Sequence, residues 1–205
     1  MNLTSIQAAL LLQLLPGIGD ITAKKLVENC GSAQAVLKEK KSNLLKIKGI
    51  GIFHLKGFDR HESYFPAVNQ EEIFIKKEGI TPLIYPSTDY PTTLGFCSNA
   101  PLVLFQKGNI SWKNERIISI VGTRNPTSIG IDFCKQFVED LSAYQPIIVS
   151  GLARGIDITA HKAALENNLD TVACLGHGLN QTYPKEHKSF EAAICKQGGL
   201  LSEFW

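Results

Sequence analysis

The chain has 205 residues, 21 Lys/Arg against 19 Asp/Glu, 44% hydrophobic and 20% charged residues. These fractions belong to an ordinary globular protein and exclude a disordered or fibrous chain, and no apolar run approaches the roughly 20 residues of a membrane-spanning helix. The net charge of +2 hides an asymmetry: residues 1–65 hold nine Lys/Arg against five Asp/Glu, whereas residues 111–205 hold nine against ten. Cys30, Cys97, Cys134, Cys174 and Cys195 are far apart and out of metal-ligand register with any histidine. They read as small apolar residues of a reducing compartment, and the expectation is a cytoplasmic protein without metal or other cofactor. The apolar start, Ala8–Leu12 and Leu14-Leu15, follows no basic residue and leads into Pro16-Gly17-Ile18-Gly19, which is not a secretory signal.

Residues 1–65 predict short helices. Ile6, Ala9, Leu10 and Leu14 form a helical stripe, Pro16–Asp20 breaks it, and Ile21–Asn29 resumes it until Gly31. The turn Leu15-Pro16-Gly17-Ile18-Gly19 resembles a helix-hairpin-helix, whose backbone amides can meet a nucleic-acid phosphate. Leu45-Lys46-Ile47-Lys48-Gly49-Ile50-Gly51 resembles a degenerate second copy, although Gly57 falls inside its expected following helix. Gly17, Gly19, Lys48, Gly49 and Gly51 are therefore candidate hairpin phosphate contacts. The alternative is a helical packing module. Such contacts would be independent of base sequence.

A polar stretch with Pro66 places a domain boundary near residue 65. Ile80–Tyr85 and Leu102–Gln106 predict strands separated by a loop rich in proline. From Ile117 strands and helices alternate: strands at 117–121, 147–149, 171–175 and 200–202, helices at about 129–142, 158–167 and 186–196. That pattern predicts a doubly wound α/β sheet over residues 66–205.

Three loops leave those strands at one sheet edge. Gly122-Thr123-Arg124 follows the first, Gly151-Leu152-Ala153-Arg154-Gly155-Ile156-Asp157 the second, and a turn containing Gly176, Gly178, Tyr183 and Lys185 the third. Glycine turns at strand ends admit a ligand close to the backbone, free amides favour negative charge, and arginine supplies a planar fork matched to phosphate. Parallel strands joined by crossovers bring such loops together. Thr123, Thr127 and Ser128 add short hydroxyls, and Tyr183 can stack on a base. Arg124 can alternatively close its own loop through a salt bridge, and Tyr183 can alternatively pack into the core. Asp157 reads as a helix N-cap in preference to a catalytic carboxylate, and His161, on the sheet-facing stripe, as a buried brace in preference to a general base. There is neither a dinucleotide fingerprint nor a Gly-Lys-Ser/Thr phosphate loop, and no nucleophile–base–acid set.

At these residues the chain resembles the DNA-processing protein A (DprA, also called Smf) family. The match lies in Val121-Gly122-Thr123-Arg124 with Gly130, Val149–Asp157 with Ala160-His161, Leu175-Gly176 with Gly178, Tyr183-Pro184, and Gly198-Gly199 with Ser202-Glu203. Tyr90-Pro91 and Ala100-Pro101-Leu102 followed by Gly108 extend it upstream. The resemblance implies an extended Rossmann-like fold preceded by a small helix-hairpin-helix (SAM-like) domain. It also implies single-stranded DNA binding in a basic pocket lined by the Arg124 and Arg154 loops, and delivery of that DNA to the RecA recombinase in natural transformation. The family's fold continues past the Ser-Glu-Phe match with an arginine- and asparagine-rich segment and elements of a homodimer interface, so the chain is expected to carry most, not all, of the pocket.

A second reading is enzymatic, because related Rossmann-like sheets carry phosphoribohydrolases and deoxyribosyltransferases. Asp157 or Glu203 would then have to act beside the sugar. The Pro-Gly-Gly-x-Gly-Thr loop of the phosphoribohydrolase type is missing, and the non-enzymatic reading is preferred.

Overall fold

The computed structural model describes residues 3–112 and 116–205. The chain forms two compact units, Met1–Leu104 and Phe105–Trp205.

The first unit is built on helix α1 (Ser5–Leu14). Thr4 and Gln7 close a capping box: the Thr4 hydroxyl accepts from the Gln7 amide at 3.2 Å, and the Gln7 side chain accepts from the Thr4 amide at 3.0 Å. Ala8 to Leu12 are all fully buried. A helix apolar around its whole circumference must be surrounded, and α1 is packed by α2 (Asp20–Cys30), α3 (Ala33–Lys38) and, after the short α4 (Lys41–Leu44), by α5 (Phe65–Lys77). Each of its buried leucines contributes about 1.5–3 kcal/mol of burial energy. Gly31, at φ +90°, ends α2 as expected. The helix expected after the second hairpin does not form. Two 3-10 segments, Ile52–Leu55 and Phe58–Tyr64, stand there, and Gly57 between them lies where a Cβ would come within 2.7 Å of Pro16 Cδ. Helix α5 occupies the polar stretch in which the sequence predicts a boundary and no helix, with Pro66 at its start and Lys76-Lys77 in its last turn as terminus signals.

Strand β1 (Thr81–Ile84) and the short α6 (Thr92–Gly95) complete this unit. Lys24 of α2, buried, donates to the carbonyls of Gly95 and Cys97, each at 2.6 Å, and lies 4.9 Å from the Tyr85 ring centroid. Residues 66–104, assigned from sequence to the second domain, thus cluster with the helical part, because α1 packs on both α5 and β1.

Strand β2 (Val103–Gly108) runs across the division. In the second unit follow β3 (Ile117–Ser119), α7 (Ser128–Leu141), β4 (Ile147–Ser150), α8 (Ile156–Glu166), β5 (Thr171–Leu175), α9 (Lys188–Lys196) and β6 (Gly198–Ser202). The sheet order is β1-β2-β6-β5-β4-β3; β3 to β6 are mutually parallel and β2 is antiparallel to β6. This mostly parallel sheet is the expected α/β class, and the run β6-β5-β4-β3 is one half of a doubly wound sheet. Helix α8 packs against both α7 and α9. Cys134, Val138, Ile148, Ala160 and Leu169 form one cluster of its core, and Leu152, Ala173, Leu175, Ile194 and Leu200 another. β3 pairs over three residues only, shorter than the expected 117–121, and one further bond runs from the Ile120 amide to Val149 at 2.9 Å.

Candidate nucleic-acid interface

The carboxyl ends of β3, β4 and β5 all open on one edge, and short-range contacts lock their loops together. Ser150, the last residue of β4, donates its hydroxyl to the Ile120 carbonyl at 2.7 Å. Beyond it, the Ile156 amide donates to the Thr123 carbonyl at 3.1 Å. The approach is close enough to dictate the residues. A Cβ at Gly122 would stand 2.6 Å from Ile156 Cβ, and one at Gly155, whose φ is +80°, would stand 2.2 Å from the Thr123 carbonyl oxygen. Only glycine fits that conformation at that distance. The loops of Arg124 and Arg154 therefore meet, as two crossovers in one parallel sheet require.

The third loop is tied to the second. His187 Nδ1 donates to the carbonyl of Leu152 at 2.8 Å, and Ser202 of β6 holds the His177 carbonyl at 2.7 Å. Leu152 is itself fully buried at φ +59°, a conformation costly for a branched side chain. Arg154 makes a bidentate pair with Glu186, Nε to Oε1 at 2.7 Å and Nη2 to Oε2 at 2.8 Å. The hydrogen bonds between them, and after these their opposite charges, push the guanidinium pKa up and pull the Glu186 carboxyl pKa down. Both side chains are exposed. Arg154 thus has two of its N–H groups committed within the protein, while the others stay available.

Arg124 differs. It is exposed and makes no hydrogen bond or ion pair among the described residues, so the loop-closing salt bridge is not formed. Ser128, Tyr183 and Lys185 are exposed as well, Tyr183 at 66%, and the Tyr183 ring is not in the core. Gly176 has open space where a side chain would go, and Gly178 lies against Asn180 and the backbone of Phe204. Gly151 and Ala153 carry no side-chain polar atoms of their own. The hydroxyls of loop one are partly spoken for: Thr123 Oγ1 accepts from the Asn125 amide, and Thr127 Oγ1 caps α7 by accepting from the Gly130 amide, each at 3.2 Å.

Asp157 is not the N-cap of α8. Gly155 occupies that position, the helix starting two residues earlier than expected, and Asp157 is the buried second residue with its carboxylate against Gly151. A side chain on Gly151 would come within 2.8 Å of that carboxylate. His161 is fully buried, its Nδ1 2.7 Å from Thr171 Oγ1. The Thr171 hydroxyl donates to the Ile148 carbonyl at 2.9 Å, so its oxygen accepts from His161 and the proton sits on Nδ1. Burial and the neighbouring His187 lower the His161 pKa to about 4, the Ser150 backbone offsetting part of that shift. It is a neutral imidazole under a loop. Glu186 and His187, which fasten the third loop, were not legible as such: both fall in a polar run, Lys185–Lys188, without periodicity.

In the helical unit the two hairpins are unequal. Gly17, at φ +89°, faces the Phe53 carbonyl so closely that a Cβ would come within 2.8 Å of its oxygen, while Gly19 is open. Gly51 has its amide engaged by His54 Nδ1 at 3.0 Å and is not free for a phosphate. Gly49, at φ +85°, is exposed, as is Lys48.

No helix among the described residues is long and apolar enough to cross a membrane, and no group of three or more His, Cys, Asp or Glu among them is placed to hold a metal. The family model described as DNA recombination-mediator protein A matches residues 81–205. The Smf protein of Escherichia coli is 40% identical over 116 residues, 56% of this chain and 31% of its own. The crystal structure of DNA processing protein A from Streptococcus pneumoniae superposes with a TM-score of 0.75 at 25% identity, covering 99% of this chain and 68% of that one. DNA processing protein A from Helicobacter pylori, whose structure is described by its single-stranded DNA binding mode, gives a TM-score of 0.53 at 27% identity over 60% of this chain and 55% of that one. The chain spans about half or less of the length of the curated relatives it matches. With the motifs of its three loops, the parallel sheet that carries them and a family match over more than half its length, the chain belongs to the DNA recombination-mediator protein A family.

Proposed function

We propose that this protein binds single-stranded DNA along the edge formed by its three loops, without chemistry on the strand, and that it serves natural transformation by protecting incoming DNA and handing it to the RecA recombinase. The observation that carries the reading is the union of three strand-end loops around an unengaged arginine, Arg124. Arg124, with Lys185 and the unspent N–H groups of Arg154, supplies phosphate contacts, and Tyr183 offers an exposed ring for a base. The burial of Asp157 and the neutrality of His161 argue against a hydrolytic pair at this edge. The family description as a recombination mediator and the Helicobacter relative's DNA binding support the substrate and the hand-over to a recombinase. Homodimerisation belongs to the same reading.

The test is equilibrium binding of a fluorescent oligothymidylate across a salt series. Affinity is expected to fall steeply with salt, with a log–log slope that loses about 0.7 per phosphate contact removed. Arg124→Ala is expected to weaken binding about tenfold and to reduce the slope by about that amount. Unchanged affinity and slope in Arg124→Ala would overturn the reading.

A further inference from the structure

The basic surplus of the first unit is not used by the three loops, and its distribution around the two hairpins is uneven. The first hairpin is poor ground for an anion. Its Gly17 turns onto the backbone of Phe53 and His54, and the residue that follows Gly19 is Asp20, a carboxylate in the first turn of α2. At the second hairpin these conditions reverse. The amides of Lys48 and Gly49 donate to no acceptor among the described residues, both residues are exposed, and the Lys25 ammonium lies 3.0 Å from where a Cβ of Gly49 would be. The residue after Gly51 is Ile52, not an acid. Beside the turn Phe53 is 65% exposed, with the Lys56 ammonium 5.2 Å from its ring centroid. Lys41 is already paired with Asp59 and Lys46 donates to Asn43, whereas Lys25, Lys48 and Lys56 have no acidic partner among the described residues.

Exposed residues with free amides, ammonium groups and an exposed aromatic ring at positions 48–56, with Lys25 folded against Gly49, are complementary to a phosphodiester chain with unstacked bases. We infer that the Lys46–Gly51 turn is a second contact for single-stranded DNA, in which Lys25, Lys48 and the Lys48 and Gly49 amides hold phosphates while Phe53 stacks on a base. The inference extends the proposed binding at the loop edge to a second place on the chain, so it rests on that reading for the identity of the ligand. It assigns the contact to the hairpin whose sequence is the less regular. The regular hairpin spends its glycine on packing.

The experiment titrates the isotopically labelled whole chain with oligothymidylate and follows backbone amide resonances, in the wild type and in Arg124→Ala. The Lys48 and Gly49 amides are expected to shift in both proteins, and Lys25→Glu/Lys48→Glu to abolish those shifts while the loop amides still respond. Absence of shifts at residues 46–53 while loop amides respond would overturn the inference. Shifts at the hairpin without any at the loops would instead overturn the loop-edge reading and leave this one standing. Phe53→Ala is expected to lower affinity for oligothymidylate about fivefold and for an equally long duplex by less than twofold. An equal loss on both would remove the stacking role of Phe53.

Discussion

Gly155→Ala tests whether the union of the first two loops is what makes the edge. At φ +80° and ψ −125° the backbone of Gly155 lies outside the region open to alanine, a strain of about 1–3 kcal/mol. The new methyl would stand 2.2 Å from the Thr123 carbonyl oxygen and 2.8 Å from Arg124 Cα, both backbone atoms that no side-chain rotation can move aside. Relief requires the loops to separate, which stretches the Ile156 amide bond to Thr123, worth about 1 kcal/mol net. The expected destabilisation is about 2–4 kcal/mol, or about 5–15 °C in Tm for a chain of this size. Because Arg124 is displaced with its own Cα, single-stranded DNA affinity should fall at least as far as in Arg124→Ala. Thermal unfolding followed by circular dichroism and oligonucleotide anisotropy read the two effects. Gly176→Ala is the control: nothing lies within 4 Å of its added methyl, and Tm should stay within about 2 °C. A Gly155→Ala protein with wild-type Tm would refute the steric argument.

Glu186→Gln removes one negative charge from the edge and one of the two oxygens that accept from Arg154, so single-stranded DNA affinity should rise severalfold, checked by the same anisotropy assay; a loss would mean that the hold on the guanidinium outweighs the charge. His161 is buried neutral with its pKa lowered to about 4, below the unfolded value near 6.5. The unfolded chain then binds the extra proton, so this contribution is complete above about pH 6.5 and is lost as pH falls toward 4, by about 3 kcal/mol at most. His161→Gln should flatten Tm against pH across that window, and an unaltered slope would locate the acid sensitivity elsewhere. Lys24→Met deletes two charged hydrogen bonds to the Gly95 and Cys97 carbonyls and should cost about 2–4 kcal/mol in urea unfolding; a loss under 1 kcal/mol would show that water replaces the ammonium.

How much of this was legible in the sequence follows from where the information resides. The alternation after Ile117 is local: each strand and helix is written in its own periodicity, and the glycines at 122, 151 and 155 mark where backbones must come close. Helix α5 was obscured because Gln70, Glu71 and Glu72 dilute its apolar stripe, and its burial depends on α1, which is distant in sequence. The state of Arg154 was not legible at all. Nothing near residue 154 announces that a carboxylate 32 residues later will take its fork. The burial of Asp157 escaped for a related reason: cap preference is a statistical property of the residue type, whereas here the cap position needs a backbone conformation that only glycine takes freely.

If both arginines meet the strand as proposed, they act differently at long and short range. Paired with Glu186, Arg154 presents almost no net charge beyond about a Debye length, so it adds little to the attraction of a distant polyanion. Its remaining N–H groups are nonetheless held in a fixed plane, which reduces the entropy lost when a phosphate docks. Arg124 is exposed and not held, so in the proposed binding it would draw the strand in and lose more freedom on contact. It follows that Arg124→Ala should act chiefly on the association rate and its salt dependence, and Arg154→Ala chiefly on the dissociation rate, with the ionic-strength dependence of association nearly unchanged. Stopped-flow association and dissociation of one oligonucleotide at two salt concentrations separates the two, and equal rate effects from both substitutions would mean that the Glu186 pair opens before the strand arrives.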